Sequence, residues 1–498
     1  MKSKSVIVIG AGIGGIVAAT HLAQHGIKVT VVEKNSRAGG RCDRISREGH
    51  HFDTGPTLLV MPLLYEAEFR ALGAQASMHE KLDLQRVDPT YHLVFDDGRQ
   101  LALTSDMKSM QEQLETFERG SFQGLLRYMD EGHRHYQLGI EKLVNRDFRK
   151  ASEFFALENI PLVYQLKPLV NHYGNMSNYF DDPRLKAAFT FQDVYMGLSP
   201  FEAPATFSMM PYTELAHGVY YPRGGMYSIV EALMDLAREA GVEFIFDSTV
   251  EKIDVNSAHA RGVILADGQR LEADVVLANA DLPYVYKNLL PDENLANSLS
   301  RKRFSCSVIS FFWGLDKTYE TLAPHTLFLA DDYRENFESI IRDLSLPANP
   351  CLYIHAPARL DPAMAPRGED TLIAIVPVGH ISENGEQDWA ELRDEARRQV
   401  FRRLAILGIT DMESHIKFET TFTPLSWRKR YNLMKGSTHG LCHNLTQLGY
   451  FRPSNRHPHY HNLYFTGAST HPGTGMPTAM VSGRLSAQRI MDDFDSTI

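Results

Sequence analysis

The apolar pattern of the chain changes period several times, and these changes divide it. Residues 6–9, VIVI, form a short continuous β-branched run, as a parallel strand covered on both faces requires. A helical run over residues 16–25 follows, then a second apolar strand at 29–32 that ends in Glu33. From about residue 62 to 191 the pattern predicts longer, mixed helices, including 110–117 and 122–138. A stripe of Ile229, Val230, Leu233 and Ala237 predicts an amphipathic helix over 226–240. Strands are expected at 242–246, 249–255, 260–265 and 270–277, the last two joined as a hairpin by Asp267-Gly268. Residues 275–281, VVLANAD, read as a buried strand with polar residues at its carboxyl end, where open α/β sheets present ligand contacts. Alternation resumes with strands at 308–313, 351–355 and 371–377 and an amphipathic helix over 388–407. A strand at 462–466 and a helix carrying Val481, Leu485 and Ile490 close the chain, with no internal repeat or low-complexity linker.

The first strand, helix and second strand make one βαβ unit, and its turn carries Gly10, Gly12 and Gly15, with Gly14 between them. This G-x-G-x-x-G spacing permits a tight turn, close approach of backbone to a pyrophosphate, and close packing of helix on strand. Glu33 is placed to accept from a ribose 2′-hydroxyl, and its charge disfavours the 2′-phosphate of NADP. Lys34, then Gly39-Gly40-Arg41, then Phe52-Asp53-Thr54-Gly55-Pro56-Thr57 supply turns suited to a long cofactor continuing toward a flavin ring, which favours FAD over NAD. Near the other end, residues 467–478, GASTHPGTGMPT, form a second glycine-rich loop before a helix, with Pro477 suited to a first helical turn. Its N–H groups and positive helix end suit the electron-rich edge of a reduced flavin. Two such loops fit the two ends of FAD.

Composition narrows the classes. The 498 residues allow two or more domains with sizeable cores, and 43% apolar with 22% charged residues is globular. A net charge of −10 gives no support to a nucleic-acid partner. Cys42, Cys306, Cys351 and Cys442 lie far apart, which fits reduced thiols in an intracellular protein. A cleaved signal peptide would remove the first strand, and no uncharged apolar run approaches the roughly 18 residues of a membrane span. Any membrane contact is therefore expected to be peripheral. Residues 157–171, rich in Leu, Val, Pro and Tyr, suit either shallow insertion into a bilayer or, as the preferred reading, a helix packed inside its own domain. Residues 189–210, dense in aromatics and methionines, suit a long hydrophobic ligand or an ordinary core equally well. His457, His459 and His461 read as a loop rather than a metal site, for want of a Cys or acid at ligand spacing.

The segments VIVIGAGIGG, VVEKN, AGGR, FDTGPT, YPRGG, LANAD, FRPSNR and above all NLYFTGASTHPGTGMP span the chain in order. In them the sequence resembles the bacterial and fungal phytoene desaturases of the FAD-dependent amine-oxidase-like superfamily. The resemblance implies an α/β fold: an FAD-binding Rossmann-like domain of glutathione-reductase type, a discontinuous α+β substrate domain, and a helical membrane-facing part. Residues 1–60, 220–290 and 448–498 would form the first, and 61–219 with 291–447 the second. Expected cofactor contacts are Gly10, Gly12, Gly14, Gly15, Glu33, Lys34, Gly40, Arg41, Gly55, Pro56, Thr57, Val250, Asn279, Gly467, Met476 and Pro477. Fungal relatives often carry a hydrophobic C-terminal anchor, whereas this chain ends MDDFDSTI, so attachment by that route is not expected.

The activity implied is dehydrogenation of phytoene, a long apolar polyene, with FAD as the only redox cofactor and a quinone or oxygen as electron acceptor. Hydride would leave an allylic carbon for flavin N5, and a weak base would take the neighbouring proton. No catalytic base is carried over; His471 and Tyr195 are candidates from the residues alone. Alternatives are another carotenoid desaturase, an end-group oxidase or a C30 diapophytoene desaturase, and, in other classes, an amine-oxidase-like small-molecule oxidase or a non-enzymatic prenyl-escort protein.

Overall fold

The computed structural model of the protein describes residues 4–495. Parts of the readings on a leader and a C-terminal anchor concern residues 1–3 and 496–498, which lie outside the described residues. Among the described residues no helix is long and apolar enough to cross a membrane.

The run at residues 6–9 is fully buried, and its strand, Ser5–Ile9, lies at the centre of a five-stranded parallel sheet. The order across that sheet is Leu463–Phe465, Val275–Ala278, Ser5–Ile9, Lys28–Val32, Glu243–Ile245. Residues from both ends and the middle of the chain thus share one sheet. Helix Ile13–Gln24 covers one face, buried beneath helices Tyr227–Glu239 and Met476–Asp495. The last of these packs against it closely because position 483 lacks a side chain: a Cβ on Gly483 would stand 2.5 Å from the Gly14 carbonyl oxygen. A separate antiparallel sheet, Val250–Asn256, His259–Leu265 and Arg270–Glu272, lies on the other face. The single strand expected at 270–277 is therefore two: Arg270–Glu272 pairs in the hairpin, and Val275–Ala278 joins the parallel sheet.

The second body of structure is a seven-stranded sheet ordered Ile416–Phe422, Ser307–Leu315, Asp370–Val378, Leu352–His355, His325–Leu329, Tyr91–Phe95, Gln100–Leu103. All its pairs are antiparallel except that of His325–Leu329 with Tyr91–Phe95. Helix Trp389–Ile406 lays Ala396, Val400 and Leu404, at i, i+4, i+8, on one face of the sheet, and Asp388 caps its start by accepting from Ala390 N and Glu391 N. The expectation of longer, mixed helices from about 62 to 191 is corrected in part: Leu84–Val87, Tyr91–Phe95 and Gln100–Leu103 are strands. The turn between the last two puts Gly98 at φ 80°, a conformation for which Asp97-Gly98 was a signal in the sequence.

Beyond these strands the chain is helical, from Met107–Phe117 and Ser121–Gly139 to Met209–Ala216. Of residues 157–171, read as a helix packed inside its domain, Leu166 is buried but most of the large apolar side chains are not. Leu157, Tyr164 and Leu169 are 82%, 87% and 76% exposed, and Phe155, Ile160 and Val163 are exposed with them. Ile160, Val163 and Tyr164 of a short helix, Ile160–Leu166, point outward together, uncovered by the described residues, while Leu166 is buried.

Candidate functional site

One cavity of about 510 Å³ runs from the carboxyl ends of the parallel strands, past the first glycine turn, and along the face of the seven-stranded sheet. Its two ends differ chemically. At the first, Gly10, Gly12, Gly14, Glu33, Gly40, Arg41, Val250, Asn279, Gly467, Met476 and Pro477 form the wall. At the second, Met61, Phe191, Met196, Phe207, Met210, Leu327, Leu329 and Phe337 replace them. Gly55, Pro56 and Thr57 also line the cavity. The aromatic and methionine stretch at 189–210, which the sequence left open between lining and core, supplies both: Phe191 and Met210 reach the cavity while Phe189 packs in the interior.

The glycine end is shaped by close backbone approaches. Gly10 has φ 93°, and a Cβ there would stand 3.2 Å from the Asn279 carbonyl oxygen. The Asn279 side chain donates to the Gly10 carbonyl (3.0 Å) and fills the space beside Gly12, Gly14 and Gly467. Gly14 in turn lies under Gly467, so the two glycine loops of the sequence meet. Helix Ile13–Gln24 begins at Gly12 with no side-chain cap, and Gly12, Ile13 and Gly14 line the cavity. Its unpaired first-turn N–H groups suit a pyrophosphate.

Three of the expected contacts and one candidate base also have partners within the chain. Gly15 does not line the cavity; a Cβ there would stand 2.4 Å from the Gly10 carbonyl oxygen, so its role is to let the helix start beneath the turn. Glu33 is buried and already accepts from Ala11 N (2.8 Å) and from the main-chain and side-chain nitrogens of Asn35 (both 2.9 Å). It therefore locks the turn, with acceptor capacity left on Oε2. The Lys34 ammonium donates to the Lys429 carbonyl and to Asn432 Oδ1, and burial lowers its pKa. It joins the cavity's two banks. His471 lies off the cavity against Phe148, ring centroids 5.6 Å apart, and burial pushes its pKa down to about 4. Tyr195 does line the cavity, with its hydroxyl against that of Tyr91.

Arg41 points into the glycine end and donates to the Thr438 carbonyl at 2.7 Å; burial lowers its pKa, opposed by the nearby Asp281 carboxylate. Asp281 accepts from Ser469 Oγ (2.5 Å) and Met434 N (2.9 Å), tying three segments together. Two motifs prove to be partners. Asp53 of FDTGPT accepts from Tyr221 Oη (3.0 Å), Met226 N (3.0 Å) and Tyr227 N (3.2 Å), at the start of the helix that follows YPRGG. Gly225 makes room, since a Cβ there would stand 2.9 Å from the Asp53 carboxylate. Burial raises this carboxyl to about 6 despite those donors.

Sequence reasoning did not single out Arg452, within FRPSNR. It is buried, and its guanidinium donates to the carbonyls of Leu441, Cys442, Gln447, Ala468 and Thr470, holding the second glycine loop in place. His457 is buried in its loop and accepts from His459 N and Tyr460 N, both at 3.0 Å, and its ring stacks on Tyr286. Among the described residues no group of three or more His, Cys, Asp or Glu is arranged to hold a metal ion.

Behind the apolar wall, Glu214 receives a hydrogen bond from Gln192 Nε2 (3.1 Å), and its Oε1 has no partner. Burial pushes its pKa from 4.5 to about 8. The folded protein keeps this group protonated at pH 7, whereas the unfolded chain ionises it. The stability it allows is complete below pH 4.5 and is lost as pH rises through about 8. The Glu214→Gln protein should therefore show a flatter decline of urea midpoint over that interval than the wild type; parallel declines would refute the assignment.

The family model for flavin containing amine oxidoreductases matches residues 13–491. A phytoene desaturase of Fusarium fujikuroi is 40% identical over 98% of this chain and 90% of its own length. A zeta-carotene-forming phytoene desaturase of Myxococcus xanthus is 39% identical over 98% of this chain and 94% of its own. Among solved structures, putrescine oxidase superposes with a TM-score of 0.65 at 16% identity, covering 98% of this chain and 99% of that one, a likeness of fold.

Proposed function

The chain belongs to the flavin containing amine oxidoreductase family and to its phytoene desaturase relatives, and it is an FAD-dependent oxidoreductase; on that premise we propose that it dehydrogenates phytoene toward zeta-carotene, neurosporene, lycopene or beyond. The observation that carries this reading is the chemical split of the cavity. Every Asp, Glu, Lys and Arg on its wall, Glu33, Lys34, Arg41 and Asp281, stands at the glycine end, and the long arm beyond is apolar and aromatic. An arm without a carboxylate offers no ion pair to an ammonium group, which favours a long hydrocarbon over a charged amine.

The fit of FAD rests on the uncapped helix start beside Gly12, the space left by Gly10, Gly12 and Gly40, and the spare acceptor capacity of Glu33. We assign residues 1–60, 220–290 and 448–498 to its binding, with Gly10, Gly12, Gly14, Glu33, Gly40, Arg41, Val250, Asn279, Gly467, Met476 and Pro477 as contacts, and residues 61–219 and 291–447 to the substrate. Bound FAD supplies the oxidant that accepts a hydride from an allylic carbon. The protein's own work is to hold the chain in register and keep water away. Met61, Phe191, Phe207 and Met210 do both, since they are buried and their side chains adapt to a flexible polyene.

A substrate of this kind lives in a bilayer. We assign the exposed apolar surface around residues 155–170 to peripheral membrane contact, and a quinone or oxygen to reoxidation of the cofactor. The combined substitutions Leu157→Ser, Ile160→Ser and Tyr164→Ser remove three exposed apolar side chains. At about 1.5–3 kcal/mol for each buried apolar residue, they should lower co-flotation with liposomes at least tenfold. Unchanged flotation would refute the assignment. The activity itself is tested by incubating FAD-loaded protein with phytoene in liposomes, in separate arms with a quinone and with oxygen, and recording the spectrum with product separation. New conjugated bands are expected. An intact flavin that reduces chemically and reoxidises, with no polyene product, would overturn the reading.

A further inference from the structure

The apolar arm is interrupted by a polar pair of unusual construction. Tyr353, on strand Leu352–His355, lines the cavity with its hydroxyl 2.8 Å from Thr57 Oγ1 and 2.6 Å from His325 Nδ1. Thr57 belongs to the FDTGPT turn, where a Cβ on Gly55 would strike the Arg41 carbonyl oxygen at 2.0 Å, so Tyr353 stands where the glycine end gives way to the apolar arm. His325 is 1% exposed, lies flat on His355 with ring centroids 4.6 Å apart, and its Nε2 has no partner among the described residues. A buried imidazole with one unsatisfied nitrogen is costly, and an apolar pair would fill the same space without that penalty.

Dehydrogenation takes a hydride and a proton from adjacent carbons. The hydride carries its electron pair to the oxidised cofactor; the proton needs a base that a hydrocarbon cannot provide. The allylic cation left behind is a strong acid at its neighbouring C–H, so a weak neutral base suffices. We infer that Tyr353 is the catalytic proton acceptor of the desaturation proposed above, with His325 as the positioning residue that receives the phenol's own proton. The C–H bond breaks and its electron pair becomes the new C=C bond. The proton bonds to the Tyr353 oxygen while the phenol's own proton moves to His325 Nδ1, so the phenol stays neutral and the imidazole becomes imidazolium. Burial and the neighbouring His355 hold the pKa of His325 well below 6.5, so the imidazolium is a transient holder that returns its proton through the Tyr353 hydroxyl to water admitted as the product leaves. The other phenol pair on the wall, Tyr195 with Tyr91, has no hydrogen-bonded imidazole among the described residues.

This inference rests on the desaturase reading, and the test separates the two. Wild type, Tyr353→Phe and His325→Gln would be loaded with FAD and given, in liposomes with a quinone, phytoene deuterated at the carbons that lose protons. Both variants should keep wild-type flavin content and chemical reducibility. Their product formation should fall about 100-fold, with the deuterium effect rising from near unity to a full primary effect as proton loss becomes limiting. The glutamine of the second variant still accepts the Tyr353 hydrogen bond and cannot take the proton, so packing and proton transfer are distinguished. Wild-type rates in either variant, or a loss with an unchanged isotope effect, would overturn the inference. A wild type that binds FAD and makes no polyene product would overturn the substrate reading and this inference with it.

Discussion

The Gly15→Val protein should purify without flavin and bind added FAD more weakly than wild type, by up to about 100-fold, while keeping its far-ultraviolet circular dichroism. The position touches no ligand, since it lies beneath the cavity wall. A Cβ there would stand 2.4 Å from the Gly10 carbonyl oxygen and 2.7 Å from Asn279 Nδ2. The first is backbone and cannot swing aside, and the second already donates to that same carbonyl. Helix Ile13–Gln24 must then lift from strand Ser5–Ile9 or the Gly10 turn must open, and either displaces the N–H groups at Gly12, Ile13 and Gly14. Overpacking of this kind costs about 1–3 kcal/mol, the upper end of which corresponds to roughly 100-fold in affinity. Fluorescence titration of the refolded variant would read it. A dissociation constant within about threefold of wild type would show that the turn is not what binds the pyrophosphate.

The Arg452→Met protein should lose about 3–5 kcal/mol of stability, because the substitution leaves a group of buried carbonyls without donors. Arg452 donates to five of them, drawn from two segments: Leu441, Cys442 and Gln447 on one side, Ala468 and Thr470 on the other. One planar fork thus fastens the second glycine loop to the segment before it. Lysine should restore little, since a single ammonium with three donors cannot span five acceptors. Urea unfolding followed by tryptophan fluorescence would give the midpoint, and flavin release should precede the main transition as the loop at 467–473 loosens. An unchanged midpoint would mean that water replaces the guanidinium at no cost.

The parts of this site legible in the sequence are those where backbone geometry restricts residue type. Gly10 and Gly467 take left-handed conformations and Gly12 and Gly14 leave no room for a side chain, so the structural demand and the letter coincide. The link between FDTGPT and YPRGG was not legible, although each segment was conspicuous, because nothing in spacing pairs Asp53 with the N–H groups of Met226 and Tyr227. The floor of the cavity was hidden for a related reason. Strand Tyr91–Phe95 pairs with His325–Leu329 across more than 200 positions, and it read as part of a helical stretch although Asp97-Gly98 marked its hairpin. Residues 157–171 fail differently. Their composition is that of an interior helix, and only the absence of any element packed over Leu157 and Tyr164 reveals a surface.

The contact between Gly14 and Gly467 also bears on how the protein is made. Gly467, in one wall of the cofactor site, follows Gly14, in the facing wall, by 453 positions (467 − 14), so one wall is made long before the other. At about 5–20 residues per second, roughly 25–100 s separate the two. Until residues 463–465 are made, strand Val275–Ala278 has no neighbour at its outer edge and the cradle has no facing wall, so cofactor capture must await the second glycine loop while the nascent chain holds its central sheet incomplete.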